Sequence, residues 1–297
     1  MTPRAAAALH FGTSSWSAKS WVGSFYPEGM AAADFLSAYS KVFSSVEADV
    51  TYYRIPSRDM VDGWKRRTPP EFVLSAKMPR SIVHAGEAAA PNPERLLVLD
   101  EVLRDSDRFL EVMGRMQPKL GPLVLQFPYF NRECFAESGP FMERLGAYLE
   151  RLPVELRFAV EIRNKAWVTP DFLELLRGHG VGFVLLDLAY MPHPDEFPDD
   201  LDLITADFVY TRLIGDRKRI DALTDRFDRV VLDQGERLER WGSVLRDVAG
   251  DAPELFVYAN NHYAGHGPAT AAHIEALVRG TTPPAAPRVP RSGELPF

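Results

Sequence analysis

Glu161 and Arg163 stand two residues apart at the end of the apolar run Phe158-Ala159-Val160. Side chains alternate along an extended strand, so both project to one side. An arginine that close keeps the carboxylate ionised by Coulomb attraction. The pair could bind a sugar hydroxyl, or Glu161 could act as a general base. A structural ion pair fixing the loop that ends in Trp167 is the plainer alternative. Glu47 and Asp49 form a second acidic pair with the same spacing. Glu47 facing Glu161 would supply the two carboxylates of a glycosidase. The same residues with Asp187 and a histidine would suit a hard metal ion. A buried network tying Glu47 to Lys77 or an arginine is the third possibility, and Asp187 could simply cap the loop that follows it. His-x-x-Glu spacing occurs only in expected loops, at His84–Glu87 and His193–Glu196, and neither a metal nor another cofactor is expected. Lys77 ends the run Phe72-Val73-Leu74-Ser75-Ala76. A buried lysine there could be a Schiff-base nucleophile, although a counter-ion to Glu47 or to an acidic substrate is the simpler role. His84, in the loop beyond Lys77 and Arg80, could shuttle protons near neutral pH or be merely solvated.

Other polar residues follow the remaining apolar runs. Gln126 ends Leu123-Val124-Leu125, Asp187 ends Val184-Leu185-Leu186, and Arg212 with Gly215 ends Phe208-Val209-Tyr210-Thr211. Asn260 and Asn261 end the last run, and Gly265-His266-Gly267 leads into the final helix. In many barrels the last two loops and a helix N-terminus hold phosphate. Arg212 and two flexible glycines would serve that purpose, or Gly265 and Gly267 are only turn residues. Trp16, Trp21, Phe25, Tyr26, Tyr52 and Tyr53, with Arg54 beside them, crowd into two loops. They read as a pocket wall for a sugar or base, against the alternative of ordinary rim packing.

These endings need a scaffold that brings them together. Strands and helices alternate about eight times, from a first strand at Leu9–Ser14 to an eighth at Leu255–Asn260, without a composition break. That pattern predicts a parallel sheet, and eight units predict a single-domain TIM-like (β/α)8 barrel over residues 1–280. All strand ends then meet at one mouth, where polar side chains mark a ligand site. A doubly wound open sheet competes, but no Gly-rich fingerprint follows the first strand. Among the helices, the pattern places one over residues 93–116 and a long one over Arg226–Ala249. Residues 281–297, holding Pro283, Pro284, Pro287, Pro290 and Pro296, read as an extended or disordered tail.

Composition narrows the function classes. The 297 residues, 46% hydrophobic and 25% charged, can bury a full core without staples. A net charge of −7 argues against a nucleic-acid coat, which needs a concentrated basic surface. Cys134 is the only cysteine, so internal disulfides and thiolate zinc clusters are excluded. No stretch resembles a signal-peptide core or a membrane span. The expectation is a cytoplasmic protein that binds a small polar or anionic ligand.

Several motifs together resemble the YecE-like family, also called domain of unknown function 72. They are Gly12-Thr13-Ser14-Ser15-Trp16, Gly23-Ser24-Phe25-Tyr26-Pro27, Val46-Glu47 with Thr51-Tyr52-Tyr53-Arg54-Ile55-Pro56, and Phe72–Lys77 with His84. The series continues with Gln126-Phe127-Pro128, Val160-Glu161-Ile162-Arg163 with Trp167, Tyr210-Thr211-Arg212-Leu213 with Gly215, and Asn260-Asn261. The resemblance runs from about residue 9 to 277 and implies a TIM-like barrel; it supplies no reaction. Asp49, Ile214 and Ala259 stand where the family pattern has Asn, His and Phe, which leaves Arg212 as the main ionisable candidate on the seventh strand. The resulting expectation is a metal-independent enzyme acting on a phosphorylated or sugar-like substrate by carboxylate acid/base chemistry. The alternatives are a divalent-metal hydrolase or isomerase, and a non-catalytic protein that binds a ligand or a nucleic-acid end.

Overall fold

The computed structural model of the chain describes residues 7–86 and 90–284. Its wall is built from eight parallel strands: β1 (Ala8–Thr13), β2 (Ser45–Ala48), β3 (Val73–Lys77), β4 (Leu120–Gln126), β5 (Phe158–Glu161), β6 (Gly182–Leu188), β7 (Phe208–Gly215) and β8 (Glu254–Ala259). The strand order β1-β8-β7-β6-β5-β4-β3-β2 wraps them into a nearly closed barrel. The helices lie between them in sequence: α1 (Phe35–Tyr39), α2 (Val50–Tyr53), α3 (Arg58–Arg66), α4 (Arg80–Val83), α5 (Leu99–Gly114), α6 (Gly139–Leu149), α7 (Pro170–Gly178), α8 (Arg217–Leu223), α9 (Gly235–Asp251) and α10 (Gly267–Arg279). The eightfold alternation expected from sequence is therefore the architecture. Helix starts follow local chemistry: the side chain of Ser57 accepts from the Met60 amide ahead of α3, and that of Thr169 accepts from the Phe172 amide ahead of α7.

Three helical expectations shift. The helix expected from residue 93 starts at Leu99, because Leu97 takes a left-handed φ of 56° that breaks the winding. The helix expected from Arg226 starts at Gly235. The chain before it is tied instead to the loop after β8, where the Val231 amide donates to the Ala264 carbonyl at 2.8 Å. The short helix α8 was not foreseen; Asp216 caps it by accepting from the Arg219 amide. The expected proline-rich tail lies outside the described residues from residue 285 onward. Among the described residues no helix is long and apolar enough to cross a membrane.

Two apolar clusters flank the wall. The larger lies between strands and helices. The smaller fills the barrel with Val124, Ala159, Val184, Phe208, Tyr210, Phe256 and Tyr258. Small residues make room for its large ones: the hydroxyls of Ser45 and Ser75 both meet the Tyr258 hydroxyl. At the N-terminal end of the strands His10 stacks on Phe256, and Glu254 joins His10 at 3.3 Å to Arg157 at 2.9 Å. One end of the barrel is thus plugged, and the other carries the polar strand ends.

The seam between β1 and β2 is closed by a side chain. The buried Tyr39 hydroxyl accepts from the Thr13 amide at 2.7 Å and donates to the Ser45 carbonyl at 3.1 Å. The two backbones approach so closely at Gly12 that an added Cβ would stand 2.0 Å from the Ser45 carbonyl oxygen. Tyr39→Phe should leave two buried backbone groups without their partner, at a cost of about 1–3 kcal/mol. Gly12→Ala should cost more, because backbone rather than a side chain must move. Urea unfolding of the two variants beside the wild type checks both the sizes and their order.

Candidate functional site

The inward face of each strand follows from alternation. Val124, Ala159, Tyr210 and Tyr258 face the barrel interior, so Gln126, Glu161, Arg212 and Asn260 continue that face toward the mouth. There Arg212, only 1% exposed, occupies the centre. Its Nε and Nη2 donate to Glu47 Oε1 at 3.2 and 2.9 Å. Its Nη1 donates to Gln126 Oε1 at 2.9 Å and to Glu161 Oε2. The other Glu47 oxygen accepts from the Tyr210 hydroxyl at 2.8 Å, and the other Glu161 oxygen accepts from Arg163 Nε at 2.8 Å. Burial alone would lower Arg212, but the two carboxylates prevail and raise it. Burial alone would raise Glu161, but Arg212 and Arg163 hold it below the usual carboxylate range. Glu47, Gln126, Glu161 and Arg212 from β2, β4, β5 and β7, with Arg163 just after β5, therefore form one hydrogen-bonded ionic layer with Tyr210 beneath it.

Two ionisable groups beside that layer behave in the opposite way. Lys77 Nζ lies 3.8 Å from Glu47 Oε1, too far for a hydrogen bond. Burial, reinforced by the Arg212 charge, lowers the titration of this amine below the ordinary lysine value. Its backbone is held firmly: the Thr51 hydroxyl donates to the Lys77 carbonyl at 2.7 Å, and the Lys77 amide contacts the same hydroxyl at 3.1 Å. Burial also raises the Asp49 carboxyl, with Lys77 opposing and Glu47 adding to the shift. Both groups are moved toward neutrality, which is where proton carriers are useful.

Above them lies a cavity of about 760 Å³. Five cations, Lys77, Arg163, Arg212, Arg217 and Lys218, line it with only two carboxylates, Asp49 and Asp216. Tyr53, Tyr190, Gln126, Asn260 and His262 also face it. Tyr53 and Tyr190 are 66% and 53% exposed, so their rings are open to a ligand. Gly215 sits on the wall at φ 77°, where a Cβ would strike the Tyr263 backbone at 2.7 Å, so only glycine lets β7 turn there.

Of the residues singled out from sequence, Glu47, Asp49, Tyr53, Lys77, Gln126, Glu161, Arg163, Arg212, Gly215 and Asn260 come together here. The others are placed elsewhere. Asp187 lies on the opposite face of β6 from Val184 and accepts from Arg237 Nε at 3.0 and 2.9 Å, so it is bound toward α9 and leaves the mouth ring. The ligand set of Glu47, Glu161, Asp187 and a histidine is thus not assembled. Among the described residues no three His, Cys, Asp or Glu side chains are grouped to hold a metal ion. Gly265 packs on Arg229 and Val231, and the Gly267 amide donates to Asn261 Oδ1 at 2.9 Å. The expected phosphate cradle of these glycines with Arg212 is not formed, because Asn261 and His266 cap α10 and Arg212 is bonded to carboxylates. Asn261 also accepts from Trp21 Nε1 at 3.1 Å, a bracing role. His84 does not line that cavity; its Nε2 lies 2.7 Å from the Tyr52 hydroxyl. Trp16 packs edge-on against Trp64, Trp167 stacks with Phe130, and Arg54 is exposed away from the cavity wall.

Sequence reasoning did not find Tyr190, Arg217 and Lys218, which sit in loops and on α8 where no periodic signal marks orientation. Asp49 was visible as the partner of Glu47 in spacing, but its separate environment was not. Glu161→Gln should destabilise the protein by about 3–5 kcal/mol, the cost of removing one partner from a buried ion pair. Its carboxyl is depressed, so that contribution is present above the unfolded value and fades as pH falls through the folded one. Asp49 has the opposite sign: a raised acid stabilises the fold when protonated and loses that contribution as pH rises through its folded value. Asp49→Asn should therefore raise the melting temperature at pH 7 and leave it nearly unchanged below about pH 3. Thermal unfolding of both variants across pH tests this opposition.

Residues 10–293 match the family model described as "Protein of unknown function DUF72". The chain is similar to UPF0759 protein YecE of Escherichia coli K12, 28% identical over 201 residues, covering 64% of this chain and 65% of YecE. It is similar to UPF0759 protein YunF of Bacillus subtilis, 25% identical over 151 residues, covering 51% of this chain and 50% of YunF. The chain thus spans less than two thirds of the length of either curated relative. A DUF72 family protein from Thermotoga maritima shares the structure with a TM-score of 0.69 at 27% identity, over 92% of this chain and 99% of that one. One from Enterococcus faecalis, at 19% identity and a TM-score of 0.66 over 91% and 95% of the two chains, shows the fold alone. With the family model matched along nearly its whole length and the same barrel in a DUF72 structure, the chain belongs to the DUF72 family, as its strand-end motifs implied.

Proposed function

We propose that the barrel mouth binds a small anionic, sugar-like or phosphorylated molecule and carries out acid/base chemistry on it. The observation that carries this reading is a cavity lined by Lys77, Arg163, Arg212, Arg217 and Lys218 against Asp49 and Asp216, with Glu47 and Glu161, the partners of Arg212 and Arg163, buried outside that lining. Arg163, Arg217 and Lys218 face the ligand's negative charge, and Tyr53 and Tyr190 offer ring faces to its body. Glu47 and Glu161 do not serve as bases in this reading. Their oxygens are bonded to Arg212, Arg163 and Tyr210, and they hold Arg212 in place. Asp49 is the carboxyl that carries the proton, with Lys77 as the second titratable group. Pre-bonding the arginines in this way fixes positive potential without reorganisation when a ligand arrives, which is what electrostatic preorganisation requires.

Phosphate and a panel of sugar phosphates should raise the melting temperature more than chloride at matched ionic strength. Mass action gives about 2.7 kcal/mol at a concentration one hundred times Kd. Arg163→Ala should remove most of the gain. The stabilisation should also weaken as pH rises through the depressed Lys77 range, because the ammonium charge is lost there. Equal shifts with chloride, or in Arg163→Ala, would overturn the reading.

A further inference from the structure

The chain holds two buried lysines that can be compared directly. Lys119 Nζ donates to the Lys65 carbonyl at 2.8 Å and the Thr68 carbonyl at 2.7 Å, with the Thr68 hydroxyl at 3.3 Å. Its three hydrogens are spoken for, and it serves as a brace between α3 and the start of β4. Lys77 is built differently. It ends β3 on the inward face, lines the 760 Å³ cavity, and stands 3.8 Å from its nearest carboxylate oxygen. If it were only a counter-ion to Glu47, contact distance would be expected, and Arg212 already fills that role with two donors. The Thr51 hydroxyl fixes the backbone from which it projects. Burial and the Arg212 charge both favour its neutral amine form. A desolvated lysine next to another cation, open to a cavity, is the arrangement that makes an amine nucleophilic.

We propose that Lys77 is the amine of a Schiff-base site for a small carbonyl compound that carries a carboxylate or phosphate. The inference rests on the reading of the cavity as an anion site and specifies its substrate class. In the step, the neutral Lys77 Nζ adds to the carbonyl carbon, forming a C–N bond and a carbinolamine. The carbinolamine hydroxyl then departs as water, taking a proton from the Asp49 carboxyl, and the nitrogen lone pair forms the C=N bond of the iminium. One amine, one carbonyl and one proton give one iminium and one water. Asp49 is suited to that delivery because it lines the same cavity as Lys77 and burial raises its titration above the usual carboxylate value. Arg163, Arg217 and Lys218 hold the anionic end of the compound.

The test is reductive trapping. The full-length protein is incubated with pyruvate in one arm and dihydroxyacetone phosphate in another, each with cyanoborohydride, and the adduct is located by peptide mass spectrometry. The expected result is a mass gain equal to the probe less one oxygen atom, at Lys77. Labelling there should exceed that at exposed Lys41 and Lys165, since a lowered titration raises the free-amine fraction near neutrality. Lys77→Arg keeps the charge but has no amine that condenses. It should lose the adduct while retaining its fold, read by thermal unfolding. An adduct with one probe only would support the site and say whether a carboxylate or a phosphate is recognised. Labelling spread over exposed lysines and unchanged in Lys77→Arg would overturn the proposal. Stabilisation of the wild type by phosphate and both probes without any adduct would overturn the Schiff base alone and leave the anion site standing. No stabilisation by any of these anions would overturn both.

Discussion

A guanidinium buried inside a barrel must be neutralised and hydrogen-bonded on the spot, and the mouth of this protein is organised around that requirement. Arg212 is nearly inaccessible. A buried charge of this kind is tolerated only when carboxylates and further hydrogen bonds surround it. Glu47 from β2 and Glu161 from β5 supply the charge, and Gln126 from β4 supplies a neutral acceptor. Because these partners come from strands on different sides of the barrel, the ion cluster also ties the wall across its own diameter. Each carboxylate is in turn completed by a donor from outside the triad, Tyr210 for Glu47 and Arg163 for Glu161.

The same cluster creates the conditions for chemistry beside it. Lys77 and Asp49 share its low-dielectric surroundings without sharing its bonds, so desolvation dominates each of them. The fully paired residues are charged and fixed; the incompletely paired ones are displaced toward neutrality. A division of this sort, with rigid ions supporting poised titratable groups, separates the stability of a site from its reactivity. It also explains why the cavity is cationic in an acidic protein: the acidic partners of Arg212 lie outside its lining, and the cations of β3, β7 and α8, with Arg163 after β5, remain on it.

The barrel below the cluster shows how that layer is kept dry. Tyr258, Tyr210 and Phe256 fill the interior, with the serine hydroxyls of β2 and β3 accommodating Tyr258. The Glu254 pairing with His10 and Arg157 seals the opposite end. Closure depends on Tyr39, whose hydroxyl replaces a ladder hydrogen bond where β1 meets β2. The polar strand ends can therefore be desolvated at one mouth only.

The sequence by itself determined the barrel and most of the ring. Eight apolar runs separated by helical patterns leave few topologies, and the polar residue ending each run must lie at the common mouth if it shares the inward phase. Spacing alone set Glu47 with Asp49 and Glu161 with Arg163 on common faces. The tertiary structure decided which phase each strand takes. Asp187 shows why: β6 is apolar on both faces, so alternation carries no phase there, and the pairing of β6 with β7 turns Asp187 toward Arg237. Tertiary structure also decided the partners. Arg212, Gly265 and Gly267 all follow the last two strands, yet Asn261 caps the helix and Arg212 is drawn to carboxylates on β2 and β5. Local pattern can place a charge at a strand end, but only the full set of neighbours in three dimensions decides whether that charge is neutralised by the protein or left for a ligand.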